Sequence, residues 1–263
     1  KKYKCNAFES LEELCNDDRI DMVCICTPSG KHLEPALAAI TAGKHCIIEK
    51  PLETTIERCD RIIEAGIKHN VLVSGIFPMR FSKVNIELKN AIDQGRFGKL
   101  VMGDAYVKWF RTQEYYKEVR WRSDLAASGG GAVMNQAIHS IDLLRWFMGK
   151  VTAVSAFTGL IGHKGIEVED VASATLRFEN GVVGVIEAST AVNPGFFRRI
   201  EILGTKGSVI IEEERLLTWT FDNETEEDDI IRKKYSGKNV TGGGVSDPRS
   251  LIAFGSETPP PVT

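Results

Sequence analysis

The chain has 263 residues, 43% hydrophobic and 26% charged, with a net charge of −3. That composition supports a sizeable core in one large domain or two ordinary ones, and it supplies no basic field for nucleic acid or anionic membrane. No apolar run reaches membrane-spanning length, and the opening KKYKCNAFESLEEL lacks the apolar core of a signal peptide, so a cytoplasmic protein is expected.

Three short apolar runs alternate with helical patterns in the first third. Met22-Val23-Cys24-Ile25-Cys26 is the first, followed by a helix over about His32–Ala42. Cys46-Ile47-Ile48 is the second, followed by a helix with Thr54 as its expected N-cap and Glu57 closing a capping box. Val71-Leu72-Val73-Ser74 is the third. Continuous apolar runs predict strands covered on both faces, as in a parallel, doubly wound sheet. All six cysteines fall in the first 59 residues, without a CxxC pair or a histidine at finger-like spacing. They are expected as reduced thiols, Cys24 and Cys26 among them as small buried hydrophobes, and no metal site is expected.

After about Gly75 the texture changes. Helices are expected over Ser82–Gln94 and Ala132–Met148, and a strand over Leu100–Trp109. From Val151 strands dominate. Ala174, Leu176 and Phe178 alternate with Ser173, Thr175 and Arg177, and Asn180-Gly181 then offers a tight turn. Gly204-Thr205-Lys206-Gly207 marks a second hairpin, whereas Gly242-Gly243-Gly244 reads as loop and Thr241–Thr263 as irregular. The expected architecture is a Rossmann-type parallel sheet, incomplete at its N-terminus, over residues 1–77. An α+β domain with a large open, mainly antiparallel sheet follows over 78–263.

Ligands of such sheets bind beyond the carboxyl ends of the strands. Three junctions lie there: Thr27-Pro28-Ser29-Gly30-Lys31-His32, Glu49-Lys50-Pro51 and Gly75-Ile76-Phe77. Lys50 reads either as an exposed loop lysine or as a ligand-facing ammonium. Pro51 restricts it to extended backbone, and Glu49 stands ready to orient it. In the second half, three glycines (129–131) lead into a helix on which Asn135, His139 and Asp142 fall at i, i+4 and i+7. His139 is either a general acid–base or a buried histidine satisfied by Asp142. Arg80-Phe81, Tyr115-Tyr116 and Trp121-Arg122 could line the same cavity. By residue type alone they are also surface arginines and packing aromatics.

Together these segments resemble the glucose–fructose oxidoreductase / inositol dehydrogenase / MocA group of NAD(P)-dependent oxidoreductases. The resemblance rests on DMVCICTPSGKH, Glu49-Lys50-Pro51, Arg80-Phe81, GRFGKL, Trp121-Arg122, GGGAVMNQAIHSIDLLRWFMG, Glu169-Asp170 and the ENG turn, in that order. It implies NAD or NADP as cofactor, met by Thr27, Pro28, His32, Glu49, Lys50, Arg80, Trp121 and Arg122. It also implies substrate contacts from Asn135, Gln136 and Tyr116. Hydride would pass between nicotinamide and a sugar or cyclitol carbon, with His139 as acid–base and Lys50 polarising the oxygen. A small sugar-like partner and a homodimer or homotetramer are implied, with no nucleic acid and no membrane. Two departures stand out. Asn135 occupies a position where many members carry aspartate. There is also no GxGxxG and no residue to read the adenosine ribose, so the chain is expected to start after the family's first βαβ unit and to stop short of its closing helix. Two other functions share these motifs: an NAD-dependent glycoside hydrolase, which would release phenol from an aryl glycoside without net NADH, and a non-catalytic sugar-binding member.

Overall fold

The computed structural model describes residues 5–236. The chain clusters into two compact units. One runs to Ile76 and also takes in Asp124–Gly130; the other comprises Phe77–Ser123 and continues from Gly131. The proposed domain limits, 1–77 and 78–263, leave the short 124–130 return inside the second sequence segment. The expected loop at 242–244 and the irregular end lie outside the described residues. Among the described residues no helix is long and apolar enough to cross a membrane.

The first unit holds three parallel strands, β1 (Met22–Ile25), β2 (His45–Ile48) and β3 (Val73–Gly75), in that order. Helices Leu33–Thr41 and Ile56–His69 follow β1 and β2. Their apolar stripes (Leu33, Ala36, Ala39, Ile40, Ile62) close over Val23, Ile25, Cys46 and Ile48. Each fully buried leucine or isoleucine among them stabilises the unit by ~1.5–3 kcal/mol. The expectation of strands covered on both faces is corrected. β1 alternates exposed and buried, so Val23 and Ile25 face the core while Met22 and Cys24 are exposed. Apolar residues on both faces of a strand do not by themselves bring a second covering layer. Cys24 and Cys26 are therefore exposed thiols, whereas Cys15 and Cys46 are buried, and burial pushes the Cys46 thiol up to about 11. The helix start is also corrected by one residue: Thr55, not Thr54, is the N-cap, its hydroxyl accepting from Arg58 N. The Thr54 hydroxyl donates to Glu53 instead, because that carboxylate is buried beside it.

The second unit is built on a seven-stranded sheet. Its strands are β4 (Leu100–Lys108), β5 (Val151–Gly159), β6 (Val171–Phe178), β7 (Val183–Ser189), β8 (Arg199–Gly204), β9 (Gly207–Glu212) and β10 (Arg215–Phe221). The order is β10-β9-β8-β4-β7-β6-β5, antiparallel throughout except for the β4–β7 pair. The period-two pattern of β6 puts Ala172, Leu176 and Phe178 inward, and both hairpins form where expected, with Gly181 at φ 83°. One sheet face packs on helices Lys83–Asp93, Ile138–Met148 and Glu226–Tyr235 through Leu88, Leu144, Phe147, Phe178, Ile202 and Ile231. The last of those helices falls where strands were expected to dominate. The other face is laced with charge, including a Lys108–Glu187 bridge and an Arg199–Glu201 pair at 2.7 Å. The single helix expected over Ala132–Met148 is a π-helical turn, Ala132–Ala137, followed by the α-helix Ile138–Met148.

Candidate functional site

In the first unit the strand register fixes one edge. Ile25 pairs Ile48, and Ile48 pairs Gly75, so the residues that follow all emerge at the same carboxyl end. Glu49 N donates to Ile25 O and Ile76 N to Ile48 O, both at 2.9 Å, which carries the ladder right up to the loops. Thr27 is exposed there and its hydroxyl donates to Lys31 O at 2.9 Å. Glu49 and Lys50 are both part-exposed, and the Glu49 carboxylate accepts from the Lys50 backbone N–H at 3.1 Å.

His32 stands differently from the contact that the resemblance implies. It is 1% exposed, with Nδ1 3.0 Å from Pro51 O and Nε2 2.8 Å from Thr27 O. It braces the Thr27 loop against the Lys50-Pro51 loop, so its influence on any ligand runs through those loops. Glu53 is the second brace, and its role was not read from the sequence. The residue is 2% exposed, and its carboxylate accepts from Thr54 N (2.6 Å), Arg58 (3.0 Å) and Leu33 N (3.2 Å). Burial pushes its pKa upward, but the Arg58 guanidinium and the amides outweigh that and hold it below the usual carboxylate range. The signal available was an acid immediately before the Thr54-Thr55 pair at the helix start. Gly30 is no ligand cradle: a Cβ there would meet Ala126 O at 2.9 Å.

In the second unit the π-turn and the helix after it carry Asn135, Gln136 and His139, all part-exposed. The expected i, i+4, i+7 face assumed regular α winding, and the wide turn changes the angle between Asn135 and His139. Phe77, the last residue of the third junction, meets the His139 ring edge-on at 6.1 Å. One turn further, Asp142 takes Arg80 in a two-pronged ion pair at 2.7 and 2.6 Å. That pair holds the Arg80 guanidinium above its ordinary pKa. Arg80, implied as a cofactor contact, is thus fastened to the helix that bears His139.

Of two neighbouring acids, Glu169 holds this segment at its start and Asp170 holds the loop at 161–163. The Glu169 carboxylate accepts from Gly131 N (2.8 Å) and Val133 N (2.9 Å), an anion on the free amides of a helical N-terminus. A Cβ on Gly131 would lie 1.9 Å from Glu169 O, so only glycine permits that approach. Asp170 is fully buried and accepts from the amides of Ile161, Gly162 and His163, each at 2.8 Å, and lies 3.0 Å from His163 Nδ1. Burial pushes it upward, and those amides win, leaving it below the usual range. The sequence matched Glu169-Asp170 only as a motif; a contact spanning nearly forty residues gives no local signal.

Tyr116, implied as a substrate contact, is 3% exposed, its hydroxyl 2.9 Å from Thr190 Oγ1 and its ring packed on His163. Burial pushes its hydroxyl up to about 12. Its neighbour Tyr115 is the one tied to the π-turn, accepting from Gln136 Nε2 at 2.9 Å. Arg122 lies 4.3 Å over the Tyr115 ring, with Trp121 beside it in the 3₁₀ turn Arg120–Arg122. Among the described residues no group of three or more His, Cys, Asp or Glu side chains could hold a metal ion.

Comparison with known proteins agrees with both halves of this description. Residues 1–77 match the family model described as an oxidoreductase family with an NAD-binding Rossmann fold, and residues 86–210 match the GFO/IDH/MocA C-terminal domain. Myo-inositol 2-dehydrogenase of Thermotoga maritima is 30% identical over 222 residues, which are 83% of this chain and 64% of that protein. Levoglucosan dehydrogenase of Pseudarthrobacter phenanthrenivorans is 30% identical across 80% of this chain and 60% of its own length. The chain therefore spans less than two thirds of both relatives. Among solved structures, the WlbA dehydrogenase from Bordetella pertussis, in complex with NADH and UDP-GlcNAcA, is 36% identical with a TM-score of 0.80. That likeness covers 84% of this chain and 68% of that one. The chain belongs to the Gfo/Idh/MocA family of oxidoreductases.

Proposed function

We propose that this protein oxidises or reduces a ring carbon of a sugar or cyclitol with NAD or NADP. The observation that carries the reading is His139: a part-exposed imidazole on a helix whose start is fixed by Glu169, backed by the Phe77 ring, in a chain of this family. Thr27, Pro28, Glu49 and Lys50 would hold the dinucleotide, since they lie at the carboxyl edge of parallel strands where such ligands bind. Trp121 and Arg122 would add contacts from the second unit. When bound, the nicotinamide supplies the hydride acceptor or donor.

The chain's own residues then handle the proton and the charge. His139 takes the hydroxyl proton during oxidation and returns it during reduction. Lys50 donates to the same oxygen as its charge develops. Asn135 accepts or donates a hydrogen bond but takes no proton, because an amide has no titrating site in this range. Gln136 positions rather than reacts, since both ends of its amide are already engaged. The test is incubation with NAD and, separately, NADP in the presence of myo-inositol, levoglucosan and common aldoses, followed by absorbance of the reduced nicotinamide. Reduction that depends on one of these polyols is expected. Tight dinucleotide binding without turnover of any of them would end this reading.

The proposed partner is a further copy of the chain. Strand β5 is exposed along Thr152–Thr158, with Phe157 at 86% and Val154 at 62%, an apolar surface that association would remove from water. Sedimentation velocity is expected to show a dimer or tetramer that Phe157→Ser with Val154→Ser weakens. A monomeric wild type at micromolar concentration would rule this out.

A further inference from the structure

His32 is buried, and both of its ring nitrogens meet backbone oxygen. Nε2 lies 2.8 Å from Thr27 O, while Nδ1 lies 3.0 Å from Pro51 O and 3.3 Å from Leu52 O. Among the described residues these carbonyls are its hydrogen-bond partners. A carbonyl oxygen accepts and never donates, whereas a neutral imidazole carries one N–H and one bare lone pair. A neutral ring therefore satisfies one side of this bridge and turns a lone pair on the other. Only the ring with both protons satisfies both sides.

The two sides are the loops of the ligand edge. Thr27 O belongs to the loop after β1, and Pro51 O and Leu52 O belong to the loop after β2 that carries Glu49 and Lys50. His163, the other buried histidine among the described residues, also has acceptors at both nitrogens: Asp170 Oδ2 at 3.0 Å and Arg111 O at 2.9 Å. There a carboxylate balances the second proton. At His32 carbonyl dipoles alone hold it. The charged groups around His32 are engaged elsewhere. Arg58, from helix Ile56–His69, bonds Gly30 O, Glu34 and Glu53, and Glu53 also takes Leu33 N and Thr54 N. Glu49 accepts from the Lys50 backbone, and Asp124 caps the short helix Leu125–Ser128. Lys31 precedes His32 in the chain.

We propose that His32 is a proton-dependent positioning residue for the dinucleotide. With both protons it locks the two loops together. When one proton leaves, one bond is lost, one loop is released and the cofactor binds less tightly. The inference rests on the reading that a dinucleotide lies at this edge. Binding and protonation are then reciprocal, since the cofactor favours the doubly protonated ring and the proton favours the cofactor. The sign follows: affinity is greatest at the acid end of the window in which histidine changes charge, about pH 5 to 8, and falls toward the alkaline end.

The test pairs two measurements on the full chain across that window. NMR of ring-15N-labelled histidine, with His32 assigned by NOEs to its chain neighbours, follows its two nitrogens. Fluorescence titration with NADH gives Kd under the same conditions. Kd is expected to rise at least about fivefold with pH, the lower end of coupling between linked sites, and to follow the His32 curve. Saturating NADH is expected to move that curve to higher pH. His32→Gln, whose amide takes no proton here, is expected to bind more weakly and to lose this pH dependence. A His32 ring with a single N–H throughout the window overturns the proposal, as does a Kd that ignores the His32 curve, or a folded His32→Gln protein with the wild-type profile. If His32→Gln does not fold, the wild-type curves decide. NADH binding that is flat with pH sinks this proposal alone, whereas no NADH binding at any pH sinks it together with the cofactor reading.

Discussion

Replacing His139 with alanine is expected to lower kcat by about 10²–10⁴-fold, the usual contribution of one positioned acid–base. The fold should survive the change. His139 is part-exposed, and its ring contact with Phe77 is edge-on, an interaction worth ~0.5–1.5 kcal/mol. Lys50→Ala is expected to raise the barrier by roughly 2.7–4 kcal/mol, the measured range for loss of one donor to a developing oxyanion. If both groups serve one oxygen, their effects will not add. The double variant should lose little more than the worse single one, as groups acting as a unit do. Steady-state rates of nicotinamide reduction for the four proteins, with unfolding midpoints as controls, decide the matter. Additive losses would mean that the ammonium and the imidazole work independently, and unchanged turnover in His139→Ala would remove it from the chemistry.

Asp228→Ala is expected to be the most damaging change to stability, by about 3–5 kcal/mol, because it strands a charged partner in a buried site. The Asp228 side chain is wholly buried and accepts two bonds from Arg96 at 2.7 Å, one from Trp219 Nε1 at 2.5 Å and one from Thr225 N at 2.7 Å. Without it the Arg96 guanidinium would keep only the Asn223 carbonyl and the Phe221 ring. Burial pushes the Asp228 pKa up, but Arg96 and Trp219 overcome this and hold it far below the usual carboxylate range. The sign of the pH dependence follows. The stabilisation is fully present above the unfolded value near 3.9 and is lost as pH falls through that value toward the depressed folded one. Urea unfolding should therefore show the wild-type advantage over Asp228→Ala at neutral pH and a narrowing gap below about pH 4. A gap that stays constant with pH would show that packing, not charge, makes the contribution.

Much of the fold was legible because local rules and the global architecture agree. The period-two run of β6, the Asn180-Gly181 turn and the amphipathic helix before Asn70 each carry their own signal. The helix Glu226–Tyr235 was legible and passed over: Thr225 and Asp228 form a capping box at its start. Other features had no local signal. Whether β1 is covered on one face or two depends on what packs there, not on its residues. The 124–130 return is set by backbone contacts such as that of Gly30 with Ala126. In the candidate site, residue types and order pointed to Lys50 and His139. The groups that brace their loops did not show, because Glu53 and Glu169 act through contacts with distant backbone or side chains.

The wide turn at Ala132–Ala137 sets a phase difference. Regular α-helix advances about 100° per residue, and a π-turn absorbs one extra residue without lengthening the core-facing stripe beyond it. Leu144 and Phe147 keep their inward aim while Asn135 and Gln136 are rotated around the axis relative to His139. Loss of any single residue between 132 and 137 would restore even winding and swing the upstream amides by roughly a quarter of a revolution. The helix would still pack, yet the polar groups would no longer point together, so chain length in this half-dozen residues is constrained more tightly than composition.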